Sequence, residues 1–316
     1  MATHEQVKYL IRAHYSSDPS NFRTAALQLA ASEAKNGHQK IAQELRDIIN
    51  KGTDNQKRNI LIAQKKNEYF ENIEAVDSIS DIVLSENLEK RINRILNEYS
   101  QKVKLNKFGL SNRRKILLEG PPGTGKTMTA RVIACELDLP LYIVQLDKFI
   151  TKYMGETSVR LRQIFDFIKE YEAIYLFDEF DAIGAERKMT NDVGEIRRIL
   201  NSFLQFLEKD CSNSIIIAAT NNPQMLDYAL FRRFDDVIHY EFPNSIEIKK
   251  IFEKKLFNIN MKIIDDNILE QAKGLSHADI VKVCEDSMKF SLLNDEPLSK
   301  QLLLSILEER KKLYSK

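Results

Sequence analysis

Residues 120–127 read Gly-Pro-Pro-Gly-Thr-Gly-Lys-Thr, and few folds can accommodate that run. A short apolar segment, Ile116-Leu117-Leu118, precedes it, and Met128-Thr129-Ala130-Arg131-Val132-Ile133-Ala134 opens a helix after it. A strand, a tight glycine-rich loop and a helix in that order form a cradle for an anion. Glycine lets the backbone curl until successive N–H groups face one point, and the helix adds its positive end. Lys126 is placed to reach the β- and γ-phosphates of a nucleoside triphosphate, and the Thr127 hydroxyl to hold Mg²⁺. The chain is therefore expected to bind such a nucleotide.

With 316 residues there is room for two or three domains. The 47 basic and 46 acidic residues leave a net charge of +1, so no overall field draws the chain to nucleic acid or an anionic membrane. No apolar run reaches membrane-spanning length, and the start, Met1-Ala-Thr-His-Glu-Gln, lacks a basic-then-apolar leader. Cys135, Cys211 and Cys284 are odd in number and scattered, as suits reduced thiols in a cytoplasmic protein. None of the five histidines pairs with cysteine or carboxylate at metal-ligand spacing.

Residues 1–52 read as a small three-helix unit. Val7, Leu10 and Ile11 mark the first helix and Asp18-Pro19 the start of the next, while Ile41, Leu45 and Ile48 recur at helical spacing before Gly52. A unit this small is expected to dock a client or partner. The polar stretch 53–72 reads as a linker, ambiguous towards its end. From 73 to 243, apolar strand candidates at 116–118, 141–144, 174–177, 215–219 and 237–240 alternate with helical stretches. That alternation predicts an α/β layer with a mainly parallel sheet and a ligand at the strands' carboxyl ends. Residues 244–316 return to helical pattern and predict a small all-α lid, with helices at 246–257, 268–273, 277–293 and 298–313.

Two further apolar runs end in polar groups. Ile174-Tyr-Leu-Phe177 delivers Asp178 and Glu179, the first suited to a magnesium shell and the second to polarising an attacking water. Ala218-Ala219-Thr220 delivers Asn221, which can hydrogen-bond that water or the γ-phosphate, although Asn-Asn-Pro is also a good turn by itself. Phe231-Arg232-Arg233-Phe234-Asp235 follows. Its paired arginines form either a surface ion-pair patch or fingers whose planar fork suits phosphoryl oxygens.

These residues, in this order, resemble the AAA family of ATPases over residues 79–287. Ser80-Asp81-Ile82-Val83 looks like the family's adenine-contacting segment, and the phosphate loop matches residue for residue. Leu226-Asp227-Tyr228-Ala229-Leu230 with the Arg-Arg-Phe-Asp after it resembles the second region of homology. Gly274-Leu275-Ser276-His277-Ala278-Asp279 resembles the small-domain sequence in which Ala278 faces the nucleotide. His277 stands where many relatives have glycine. The resemblance implies a P-loop ATPase core with ATP and Mg²⁺ as ligands. Its catalytic set is Lys126, Asp178, Glu179, Asn221, Arg232 and Arg233, with Thr127 and Asp178 at the metal. Its nucleotide-contacting set is Asp81, Ile82, Gly120, Pro121, Pro122, Gly123, Thr124, Gly125, Lys126, Thr127, Met128 and Ala278.

The resemblance also implies a homo-oligomeric ring, usually a hexamer, in which Arg232 or Arg233 acts on a neighbour's nucleotide. Adjacent arginines in place of Arg-Pro-Gly-Arg look more like the microtubule-severing and membrane-remodelling (katanin/spastin-like) branch. Tyr153, Met154 and Gly155 fall where the family carries a pore loop that grips polypeptide, a task suited to adaptable apolar side chains. The loop at Thr190-Asn191-Asp192 is a candidate second pore loop. The leading reading is a protein remodeller that threads its client. A non-threading ATPase switch acting on a separate effector is the alternative, and the neutral charge counts against a DNA-directed machine.

Overall fold

The computed structural model describes residues 69–146, 157–181, 193–225, 228–256 and 263–314, with isolated positions at 26, 29–32 and 43. The chain divides into two units, Met1–Glu68 and Tyr69–Lys316. In the first, Ala26, residues 29–32 and Gln43 are helical and Ala30 is buried. The remainder of the expected three-helix unit, including Asp18-Pro19, lies outside the described residues.

The second unit is built on a six-stranded sheet in the order β1-β3-β4-β5-β2-β6. Its strands are β1 (Phe70–Ile73), β2 (Lys115–Glu119), β3 (Leu141–Val144), β4 (Ile174–Phe177), β5 (Ile215–Thr220) and β6 (Asp236–His239). All pairs are parallel except β1 with β3. Five strands fall where their apolar runs predict. A strand covered on both faces must be apolar at every position, and β4 and β5 are buried throughout.

Alternation along the strands divides the core in two. Leu117, Tyr175, Phe177, Ile216 and Ala218 point to one face, against α4 (Thr157–Glu170) and α5 (Val193–Lys209). Ile116, Leu118, Ile174, Leu176, Ile215 and Ile217 point to the other. There they meet Ile92, Ile95 and Tyr99 of α1 (Glu86–Ser100) and Ala130, Ile133 and Ala134 of α3 (Lys126–Glu136). The short α2 (Lys102–Lys107) leads from α1 towards β2. Each fully buried isoleucine or leucine contributes about 1.5–3 kcal/mol relative to exposure. This layering holds the ends of β2, β4 and β5 at one edge.

Strand β1 corrects one expectation: residues 70–72, assigned to the linker, begin an edge strand. Phe-Glu-Asn-Ile has no strand pattern of its own. The Phe70 ring stacks on Phe167 at 4.6 Å and meets Tyr175 edge-on at 5.7 Å, so distant aromatic packing outweighs local polarity.

After β5 come a 3₁₀ turn (Pro223–Met225) and the short α6 (Tyr228–Phe231). After β6 the chain builds a helical subdomain from α7 (Ser245–Lys255), α8 (Asp266–Ala272), α9 (His277–Leu293) and α10 (Lys300–Lys312). Ile248, Phe252, Ile280, Val283, Leu303 and Leu307 form its core. Capping boxes start α7, from Asn244 and Glu247, and α9, from Ser276 and Asp279. Each satisfies helix-end N–H groups that would otherwise lack partners. Among the described residues no helix is long and apolar enough to cross a membrane.

Candidate functional site

The carboxyl ends of β2, β4 and β5 open onto a cavity of about 620 Å³ at the seam between the α/β layer and the helical subdomain. That volume suits a small-molecule ligand, for which roughly 300–1,000 Å³ is usual. The segment 81–83 stitches the seam: Ile82 packs with the sheet's core and Val83 with the helical one.

The phosphate loop forms one wall. A Cβ on Gly120 would collide with the Tyr240 carbonyl oxygen, so only glycine lets the loop leave β2 this close to the end of β6. Gly123 has φ +74°, and a Cβ there would lie 2.5 Å from Ser276 Oγ. The Ala278 N–H donates to the Gly123 carbonyl at 3.0 Å. The first turn of α9 is thus seated directly on the loop.

Lys126, at 6% exposure, donates from Nζ to the carbonyl oxygens of Gly120 (2.7 Å) and Pro121 (2.8 Å). Burial pushes its ammonium down to about 8, while Asp178 and Asp181 pull it back up. A bound polyphosphate would add further negative charge and favour the charged form. The Thr127 hydroxyl donates to Asp178 Oδ2 at 2.7 Å, so the two residues expected at the metal do converge. Both are hard oxygen donors, the kind Mg²⁺ takes alongside substrate phosphates. Among the described residues no group of three carboxylate, histidine or cysteine side chains forms a separate metal cage.

Glu179 lies beside Asp178 in a left-handed backbone, φ +49°. For a residue with a side chain this costs about 1–3 kcal/mol and marks a position held by its surroundings. The holding contacts are visible: the Glu179 N–H donates to Asp178 Oδ1 (2.9 Å) and the Phe180 N–H to the Ala219 carbonyl (2.8 Å). Phe180 is fully buried beneath. The reversal keeps Asp178 at Thr127 and leaves Glu179 exposed at the cavity wall.

Asn221 lines the same wall. Its backbone and both neighbours are tied to Asp181, which the sequence did not single out as a site residue. Asp181 Oδ1 accepts from Thr220 Oγ1 and the Asn221 N–H, each at 3.3 Å, and Oδ2 accepts from Asn222 Nδ2 at 2.9 Å. The signal was present as a third carboxylate two residues beyond Glu179, but its partner lies on another strand.

Of the expected nucleotide contacts, Asp81, Ile82, Pro122, Gly123, Thr124, Gly125, Lys126, Thr127, Met128 and Ala278 line the cavity. Gly120 and Pro121 do not; their carbonyls serve Lys126. The Asp81 carboxylate accepts from the Ser78 N–H and hydroxyl, which closes the turn entering the segment. The helical subdomain adds Ile251, Lys254, Lys255, His277, Val281, Lys282 and Glu285, residues with no motif to announce them. Lys254 Nζ donates to the Ile82 carbonyl at 3.5 Å across the seam. His277 is mostly enclosed, and burial alone pushes its imidazole down to about 4.

Arg232 and Arg233 are not among the lining residues, and no arginine is among the described residues that line the cavity. Arg232 is exposed, and Arg233 Nε lies 3.5 Å from Glu208 Oε2. Tyr153, Met154, Gly155, the stretch Thr190-Asn191-Asp192 and the pair Leu226-Asp227 lie outside the described residues.

The family described as "ATPase family associated with various cellular activities (AAA)" matches residues 116–242. The chain is 32% identical over 300 residues to an uncharacterised AAA family ATPase of Sinorhizobium fredii, covering 93% of this chain and 90% of that protein. It is 33% identical over 222 residues to a putative 26S proteasome regulatory subunit homolog of Methanocaldococcus jannaschii, covering 68% of this chain and 59% of that protein. In fold it resembles the crystal structure of the FIGL-1 AAA domain, with a TM-score of 0.61 at 19% identity over 80% of this chain and 92% of the other.

Proposed function

Because the chain belongs to the AAA family of ATPases and is an ATP-hydrolysing enzyme, we propose that it works as a ring of identical copies, hexameric as is usual in the family, using ATP to remodel a protein client. The supporting observation is an incomplete site. Lys126, Asp178, Glu179 and Asn221 surround one cavity, while the arginines suited to spreading transition-state charge lie outside it. A copy docked against this one would supply Arg232 or Arg233, and the exposure of Arg232 favours it as the finger.

Within the site, Lys126 neutralises β- and γ-phosphate charge. Thr127 and Asp178 would hold Mg²⁺, which when bound offsets more of that charge. Glu179 orients the attacking water, and Asn221 hydrogen-bonds that water or the γ-phosphate. Residues 244–316 act as a lid over the nucleotide. The relative named as a putative proteasome regulatory subunit homolog supports a protein as client. Residues 1–52 recruit that client or an adaptor, and Tyr153, Met154 and Gly155 grip it in the pore. The adjacent arginines support kinship with the katanin/spastin-like branch.

Mixing two inactive variants tests the shared site. Glu179→Gln keeps its arginines, and the double variant Arg232→Ala with Arg233→Ala keeps Glu179. In a ring, a seam can pair the arginines of the first with the glutamate of the second, so the mixture should hydrolyse ATP although neither variant does alone. An inactive mixture of two well-folded, co-assembling variants refutes the shared site. Separately, Tyr153→Ala should abolish client remodelling and leave basal hydrolysis; unimpaired remodelling points to the non-threading switch.

A further inference from the structure

We propose that His277 contacts the ribose of the bound nucleotide and makes the site prefer ribo- over 2′-deoxyribonucleotides. The proposal rests on the cavity being the ATP site. His277 lines that cavity. Nδ1 is shut away from solvent with no hydrogen-bond partner, whereas Nε2 is not among the sealed atoms. A ring nitrogen sealed without a partner is an expense that a merely space-filling residue avoids. It becomes useful if the other nitrogen meets a ligand.

Position along the cavity selects the part of the ligand. The residues on either side of His277 both touch the phosphate loop: Ser276 Oγ lies against Gly123 and the Ala278 N–H donates to its carbonyl. Beyond, Ile82, Val83, Ile251 and Val281 give the apolar surface on which a base would rest. In a nucleotide the sugar joins base to phosphates, so it must pass between these two regions, beside His277. Enclosure keeps the imidazole neutral at physiological pH, so Nε2 can act as donor or acceptor to a hydroxyl by choice of tautomer.

Equilibrium binding of ATP, 2′-deoxyATP and GTP, each with Mg²⁺, to the full chain and to His277→Ala and His277→Gln tests this. The unaltered chain should bind ATP about 3- to 10-fold tighter than 2′-deoxyATP, the worth of one hydrogen bond. His277→Ala should bind both equally, at the 2′-deoxyATP level, and His277→Gln should recover part of the preference. Thermal melts of both variants establish that they are folded. Equal binding of ATP and 2′-deoxyATP by the unaltered chain overturns the proposal while leaving the ATP site standing. A preference that survives in His277→Ala does the same. If His277→Ala instead loses discrimination against GTP with the deoxy ratio intact, the contact is to the base and the ribose assignment is wrong. Binding of no nucleotide by the unaltered chain overturns the site and the assignment together.

Discussion

Replacing Gly123 with alanine should damage the protein in two separable ways. At φ +74° a side chain costs about 1–2 kcal/mol in backbone strain. The new Cβ would also lie 2.5 Å from Ser276 Oγ, 3.0 Å from Ser276 Cβ and 3.3 Å from Ala278 Cβ. The first turn of α9 must then back away and stretch the 3.0 Å bond from the Ala278 N–H to the Gly123 carbonyl, losing about 1 kcal/mol more. Together these amount to about 2–3 kcal/mol, which in a unit of this size lowers Tm by roughly 4–12 °C. ATP affinity should fall as well, because the same movement opens the cavity. The decisive measurement is a double-mutant cycle with Ser276→Gly, read by calorimetry and nucleotide titration. Ser276→Gly removes the two nearest of these three atoms and leaves Ala278 Cβ, and glycine at an N-cap costs only a few tenths of a kcal/mol relative to serine. It should slightly destabilise the parent yet raise the Tm of Gly123→Ala, with a coupling of about 1 kcal/mol. If Gly123→Ala melts within about 1 °C of the parent, or the two losses simply add, the seating of α9 on the phosphate loop is not as described.

Removing the Asp181 carboxylate (Asp181→Ala) should leave ATP binding within about threefold of the parent but lower kcat by about 10- to 100-fold, because Asn221 loses its anchor; steady-state hydrolysis beside equilibrium binding checks this, and an unchanged kcat refutes it. His277 makes stability fall in acid. Burial holds its imidazole near 4, below the ordinary histidine value of about 6.5, so between those values the unfolded chain holds more protons and stability rises with pH. Going from pH 7 to pH 5 should therefore cost about 2 kcal/mol. His277→Gln should erase that slope in denaturant titrations, while the nearby Lys254, Lys255, Lys282 and Glu285 remain in both proteins.

Much of the α/β unit was legible because its signals are local. Short, β-branched apolar runs bounded by polar residues, such as Ile215-Ile216-Ile217-Ala218-Ala219, read as strands buried on both faces, and the phosphate loop brings its own geometry. What was not legible depends on distant neighbours. Phe70–Ile73 is polar at its centre and becomes a strand only beside Leu141–Val144 and beneath Phe167. Asp181 acquires its role from Thr220, Asn221 and Asn222, about forty positions on. Ile251, Lys254 and Val281 face the cavity because two cores meet there, and no spacing within α7 or α9 marks that fact. Lys126, Thr127, Asp178, Glu179 and Asn221, expected from three separate motifs, share one cavity. Arg232 and Arg233, which the resemblance assigns to a neighbouring copy's nucleotide, lie outside this cavity.

Asp279 accepts hydrogen bonds from the Arg310 guanidinium (2.9 Å), the Tyr314 hydroxyl (2.8 Å) and the Ser276 hydroxyl (2.6 Å), and Ser276 Oγ in turn bears on Gly123. The helix α10 and the phosphate loop are therefore connected through two side chains, the Asp279 carboxylate and the Ser276 hydroxyl. A shift of α10 would reach Gly123 through those two groups.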